Sequence, residues 1–190
     1  MSMLIGRLKW LPIVLLALML LFLLIQAAVA SEPTVDQGRD KSRHPIRVVT
    51  LFQSATDSVV ALGITPVGVV DSWAQQPTYE YLRDALKGVA HVGLETQPNL
   101  EAIVALKPDL IIATKSRHKK IYRQLSQIAP TVMAENVYDF KSILDLTAEA
   151  LNKKEKGKQI WDDFQQRITN FRNGIKKREA NWPLTAAILN

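Results

Sequence analysis

From Ile46 onward, short apolar runs alternate with stretches whose apolar residues recur at helical spacing. Residues 46–51 (IRVVTL) form a nearly continuous apolar run rich in β-branched side chains, the pattern of a strand buried on both faces. Residues 54–62 follow as a helix, with Ser54 or Thr56 placed to cap it and Gly63 to end it. The alternation continues with a strand at 66–70 (PVGVV), a helix at 79–86 closed by Lys87-Gly88, and a short extended piece at 90–92. A helix at 100–106 then leads through Pro108-Asp109 into a strand at 110–113 (LIIA), a helix at 116–128 and a strand at 131–134. Strands alternating with helices of this length predict βαβ crossovers, hence an α/β fold with a mainly parallel sheet and helices on both faces, over residues 46–139.

After Asp139 the pattern becomes almost uninterrupted helix to about Glu179, with a joint expected within 152–157. Ile160, Trp161, Phe164, Ile168, Phe171 and Ile175 recur at steps of mostly three and four and mark one apolar stripe. Residues 154–179 would span about 39 Å at 1.5 Å per residue, enough to cross a domain and reach beyond it. Trp182-Pro183 breaks this region (140–182), and 184–189 (LTAAIL) reads as a further buried strand. The expectation is that residues 183–190 begin a second α/β domain, cut off at its threshold.

The first thirty residues differ from everything after them: Arg7 and Lys9 are their only charges, and an apolar run of 16 extends from Trp10 to Ile25. With Ala28-Val29-Ala30 behind it, this is the arrangement of a secretory signal peptide, with cleavage expected between Ala30 and Ser31. The alternative, an uncleaved anchor, needs a span of roughly 20 residues. Residues 31–45, polar and with two prolines, read as a flexible linker. The cysteine count is zero, so no disulfide staples the fold and no thiol at the cleavage site takes a lipid. The expectation is a soluble periplasmic protein.

Residues 31–190 carry 22 Lys plus Arg against 18 Asp plus Glu, a formal charge of +4. Much of the excess is spaced along the late helical region, as on a solvated helix face, and no basic strip is interleaved with aromatics, so nucleic acid is not an expected partner.

Three segments in order, 59–73 (VVALGITPVGVVDSW), 91–113 (HVGLETQPNLEAIVALKPDLIIA) and 116–132 (SRHKKIYRQLSQIAPTV), resemble the periplasmic binding proteins for ferric siderophores and ferric citrate, relatives of the vitamin B12 binding proteins. The similarity runs from about Arg47 to Asn190. It implies two α/β lobes joined by one long helix, with this chain supplying the first lobe and the joining helix while the second lobe is truncated. It also implies a cargo-binding component of an ABC importer, not an enzyme, monomeric at full length, with iron present only inside a ferric siderophore complex of citrate or hydroxamate type. Glu101 of the NLE motif is similar to the residue that docks each lobe to the permease dimer of the inner membrane; Asn99 as N-cap and Glu101 in the first turn is also what helix capping selects.

In open parallel sheets ligands bind beyond the carboxyl ends of the strands. Those loops hold Gln53 and Ser54, Ser72 and Trp73, Lys115, Arg117 and His118, then Asn136 and Tyr138. A ferric siderophore complex is anionic and oxygen-rich, and the planar guanidinium of Arg117 suits it; otherwise Arg117 is one solvated charge in the basic run 115–120. His118 reads as a hydrogen-bond donor to cargo or as a surface or capping residue. Trp73 reads as an apolar wall for cargo or as ordinary packing at the sheet edge. Only His44, His91 and His118 are present, too few to suggest a dedicated metal site. Two alternatives remain: the same fold carrying haem, cobalamin or a metal ion, and an exported α/β enzyme, for which no G-x-S-x-G or phosphate-cradling glycine loop is found.

Overall fold

The computed structural model describes residues 46–178. The signal peptide and the linker with His44 expected at 1–45, the break expected at Trp182-Pro183 and the strand expected at 184–189 lie outside the described residues. The elements are β1 (Val48–Thr50), α1 (Gln53–Ala61), β2 (Gly68–Asp71), a 3-10 turn (Glu80–Leu82), β3 (Ala90–Leu94), β4 (Gln97–Pro98), α2 (Leu100–Ala105) and β5 (Leu110–Thr114). Next come α3 (Lys115–His118), a second 3-10 turn (Lys119–Ile121), α4 (Tyr122–Ile128), β6 (Thr131–Ala134), α5 (Phe140–Ala150) and α6 (Lys154–Arg178).

The sheet has the order β4-β3-β2-β1-β5-β6, and all pairings are parallel except β3 with β4. Alternation within the strands sorts the core onto two faces. Val48, Leu110 and Ile112 pack on one side with Phe52, Val59, Ile143 and Ala148 of α1, α5 and their margins. Val49, Ile111 and Ala113 pack on the other with Ile103 of α2 and Leu125 of α4. Ile111 and Ile112 are both fully buried, each contributing roughly 1.5–3 kcal/mol, which is why so continuous an apolar run occupies the centre. The mainly parallel sheet with helices on both faces is therefore what the alternation predicted.

Several local expectations differ. The helix expected at 79–86 is a 3-10 turn at Glu80–Leu82, because only Leu82 and Leu86 reach the core there while the residues between them stay exposed. Residues 116–128 form three short pieces instead of one helix, broken where His118 turns inward. Neither Ser54 nor Thr56 caps α1; Phe52 is its N-cap, Ser54 Oγ donates to the carbonyl of Val137 at 2.9 Å, and Gly63 (φ 78°) follows the helix end. The late helical region divides after Leu151, with Asn152 at φ 53°. Trp161 and Phe164 of the apolar stripe pack on Phe140 of α5 at ring separations of 5.8 and 5.6 Å, whereas Phe171 is 70 % exposed.

Candidate functional site

From β1 the chain runs outward through β2 and β3, then returns to pair β5 on the opposite side of β1. The crevice beyond the carboxyl ends of β1 and β5 is thus the switch point at which open α/β sheets bind ligands. Helix α1 begins at Gln53 just beyond β1, and α3 begins at Lys115 just beyond β5. Between α3 and the segments after β3 and β6 lies an open depression of about 400 Å³ lined by Thr96, Ser116, Arg117, Val137 and Tyr138.

Arg117 is held in place. Its Nε lies 2.8 Å from Oε1 of Glu95, and its guanidinium carbon sits 5.0 Å from the centroid of the Trp73 ring. Trp73 in turn donates its indole N–H to Glu95 Oε2 at 3.1 Å, and the backbone N–H of Gln53 donates to the same oxygen at 3.4 Å. Three segments remote from Glu95, at Gln53, Trp73 and Arg117, meet on its carboxylate, and Glu95 is 4 % exposed. Glu95 escaped the sequence reading because it lies in the turn between β3 and β4, off the loops that follow the other parallel strands; its partners lie 42 and 22 residues upstream, at Gln53 and Trp73, and 22 downstream at Arg117. A lone Glu in a G-L-E-T turn carries no signal of such a role.

The other expected residues divide by exposure. Tyr138 is 84 % exposed at the margin of the depression, and Asn136 Oδ1 accepts from the backbone N–H of Tyr138 at 2.8 Å, bracing the loop. Lys115 pairs with the exposed Glu135. Ser72 is buried, and its hydroxyl accepts from the N–H of Tyr79 at 3.0 Å; Gln53 Nε2 donates to Asp57 at 3.3 Å. Glu101 is exposed in the first turn of α2, behind Asn99, whose side chain accepts from the N–H of Ala102 at 2.9 Å.

His118 is corrected by the structure. A hydrogen bond from its ring to cargo was one expectation, yet the ring is 1 % exposed and both nitrogens are occupied. Nδ1 accepts from the N–H of Thr114 at 3.1 Å, which leaves the proton on Nε2 to be donated to the carbonyl of Glu95 at 2.8 Å. Burial is the main cause that pulls its pKa below the usual histidine value, so the neutral ring pins α3 to the turn after β3.

The sequence pattern of the periplasmic binding proteins matches residues 48–187. The chain belongs to that family. It is 50 % identical over 147 residues to the achromobactin-binding periplasmic protein of Dickeya dadantii, covering 77 % of this chain and 48 % of that one. It is 51 % identical over 133 residues to a probable siderophore-binding lipoprotein of Bacillus subtilis, covering 70 % of this chain and 41 % of that one. The crystal structure of SirA from Staphylococcus aureus complexed with staphyloferrin B superposes with a TM-score of 0.70 at 45 % identity, covering 74 % of this chain and 49 % of the other. The chain thus spans about half the length of the relatives it matches.

Proposed function

We propose that this chain supplies the first lobe of a periplasmic carrier that captures an anionic ferric siderophore, of citrate or hydroxamate type, and hands it to the permease dimer of an ABC importer. The observation that carries the reading is Arg117 on the wall of the depression at the switch point, set against Trp73. The relatives support it: one binds achromobactin, one is complexed with staphyloferrin B and one is a probable siderophore-binding lipoprotein. Arg117 meets the cargo oxygens, Trp73 and Tyr138 flank the cargo, Gln53 and Lys115 stand at its edge, and Ser54, Ser72 and His118 fix the loops. Glu101, exposed and stabilised by the N-terminus of α2, docks the lobe on the permease. No resident cofactor or protein-bound metal belongs to this reading: iron arrives inside its chelate. The mature protein is soluble in the periplasm after cleavage following Ala30.

The test is titration of the full chain with ferric citrate, ferric staphyloferrin B, haem and cobalamin, followed by tryptophan fluorescence. Saturable quenching by a ferric anionic chelate is expected. Saturation by cobalamin or haem alone would replace the cargo class while keeping the fold.

A further inference from the structure

A buried carboxylate paired with Arg117, on the wall of the proposed anion site, needs a physical cause. Glu95 is 4 % exposed, and burying a charge is unfavourable unless it is paired and hydrogen-bonded. Its negative charge also repels an anionic cargo directly. What the carboxylate does favour is one arrangement of its neighbours. Oε1 engages Arg117 through Nε at 2.8 Å, the inner edge of the guanidinium, while the terminal nitrogens of Arg117 donate no hydrogen bond to another described residue. Oε2 accepts from Trp73 at 3.1 Å, fixing the ring against which Arg117 rests at 5.0 Å. The backbone carbonyl of Glu95 accepts a hydrogen bond from His118 Nε2 at 2.8 Å, so the turn that carries the carboxylate is itself anchored.

We propose that Glu95 is the positioning residue of the cargo site: it clamps Arg117 and Trp73 together so that the guanidinium meets an anionic cargo with its terminal nitrogens. This rests on reading the depression as the cargo site. A free arginine side chain loses much rotamer freedom when a ligand immobilises it, whereas here that loss is taken on folding and the donor fork is ready before cargo arrives.

Two effects of removing the charge oppose each other, which makes Glu95→Gln decisive. Loss of the negative charge alone strengthens binding of an anion; loss of the clamp weakens it. With the full chain and ferric citrate and ferric staphyloferrin B as probes, Glu95→Gln is expected to weaken binding about tenfold, the scale of one charge-assisted hydrogen bond. Arg117→Gln should weaken it at least as much. The double variant should bind no more weakly than Arg117→Gln alone, because Glu95 acts through Arg117. A merely structural role would add its loss in both backgrounds. If Glu95→Gln does not fold, Trp73→Phe removes the indole hydrogen bond to Oε2 while keeping a ring, and its few-fold loss should likewise vanish beside Arg117→Gln. Unchanged or tighter binding by Glu95→Gln, or additive losses, overturns the positioning role while the cargo site stands. If Arg117→Gln leaves the affinity unchanged, or neither probe binds, the cargo reading itself fails and the positioning role falls with it.

Discussion

The guanidinium carbon of Arg117 lies 5.0 Å from the centroid of the Trp73 ring, joining α3, which follows β5, to the loop after β2. Trp73 is 59 % exposed, so the contact is only partly desolvated and belongs at the lower end of cation–π energies, about 0.5–1 kcal/mol. Trp73→Leu should therefore weaken binding of ferric citrate by a few-fold through this contact, with a further loss for any ring area the cargo covers. Calorimetric titration measures it, and an affinity equal to that of the unaltered chain would leave Trp73 as sheet-edge packing.

Arg117→Ala should cost about 1.5–3 kcal/mol of binding, the range for hydrogen bonds to a charged group. Arg117→Lys keeps the charge but not the planar fork, and should recover only part of the loss. If both variants bind a ferric anionic chelate at full strength, with circular dichroism unchanged, Arg117 is a solvated charge and nothing more.

The strands that were legible in the sequence are those whose residues explain themselves locally. The run LIIA needs no distant partner to read as a buried strand, and Asn99 caps α2 with the N–H of Ala102, three residues away. What was illegible depends on contacts between remote segments. The carboxylate of Glu95 has meaning only beside Trp73 and Arg117, each 22 residues off, and the fate of His118 was decided by the carbonyl of Glu95 and the N–H of Thr114. That Arg117 and Tyr138 lie beyond strand ends was legible in the sequence because such a position is a property of topology, and alternation of elements reveals topology. The segment 79–86 was misread because apolar spacing alone does not reveal how few of its residues reach the core.

His118 makes stability depend on pH. Burial lowers its pKa in the folded chain below the value of about 6.5 expected when unfolded. Among its charged neighbours Glu95 opposes this and Arg117 reinforces it. Between the two pKa values the unfolded chain binds a proton that the folded chain does not, so this contribution is fully present above about pH 6.5, falls as the pH is lowered, and levels off below the folded pKa. Urea denaturation should show the unaltered chain losing its advantage over His118→Gln between pH 7.5 and pH 5. A constant difference would mean that the ring is not buried in its neutral form.

The approach of α5 to α6 sets two glycines in opposite roles. A Cβ built on Gly157 would stand 2.7 Å from the Cβ of Ala148, a distance that side-chain rotation does not relieve because both atoms are fixed by their backbones. Overpacking of this kind costs about 1–3 kcal/mol, against a gain of at most about 1 kcal/mol from alanine's helix propensity, and the gain is smaller in the first turn of α6. Gly157→Ala should therefore destabilise the chain and loosen the packing of Trp161 and Phe164 on Phe140, which the same crossing brings together at 5.8 and 5.6 Å. Gly174, near the other end of α6, has nothing within 4 Å of an added Cβ, so Gly174→Ala keeps the propensity gain alone and should stabilise by up to about 1 kcal/mol. Urea denaturation of the two variants should shift in opposite directions. A stabilising effect of both would show that the helices do not cross closely at Gly157, and the seat of α6 on α5 would have to be redrawn.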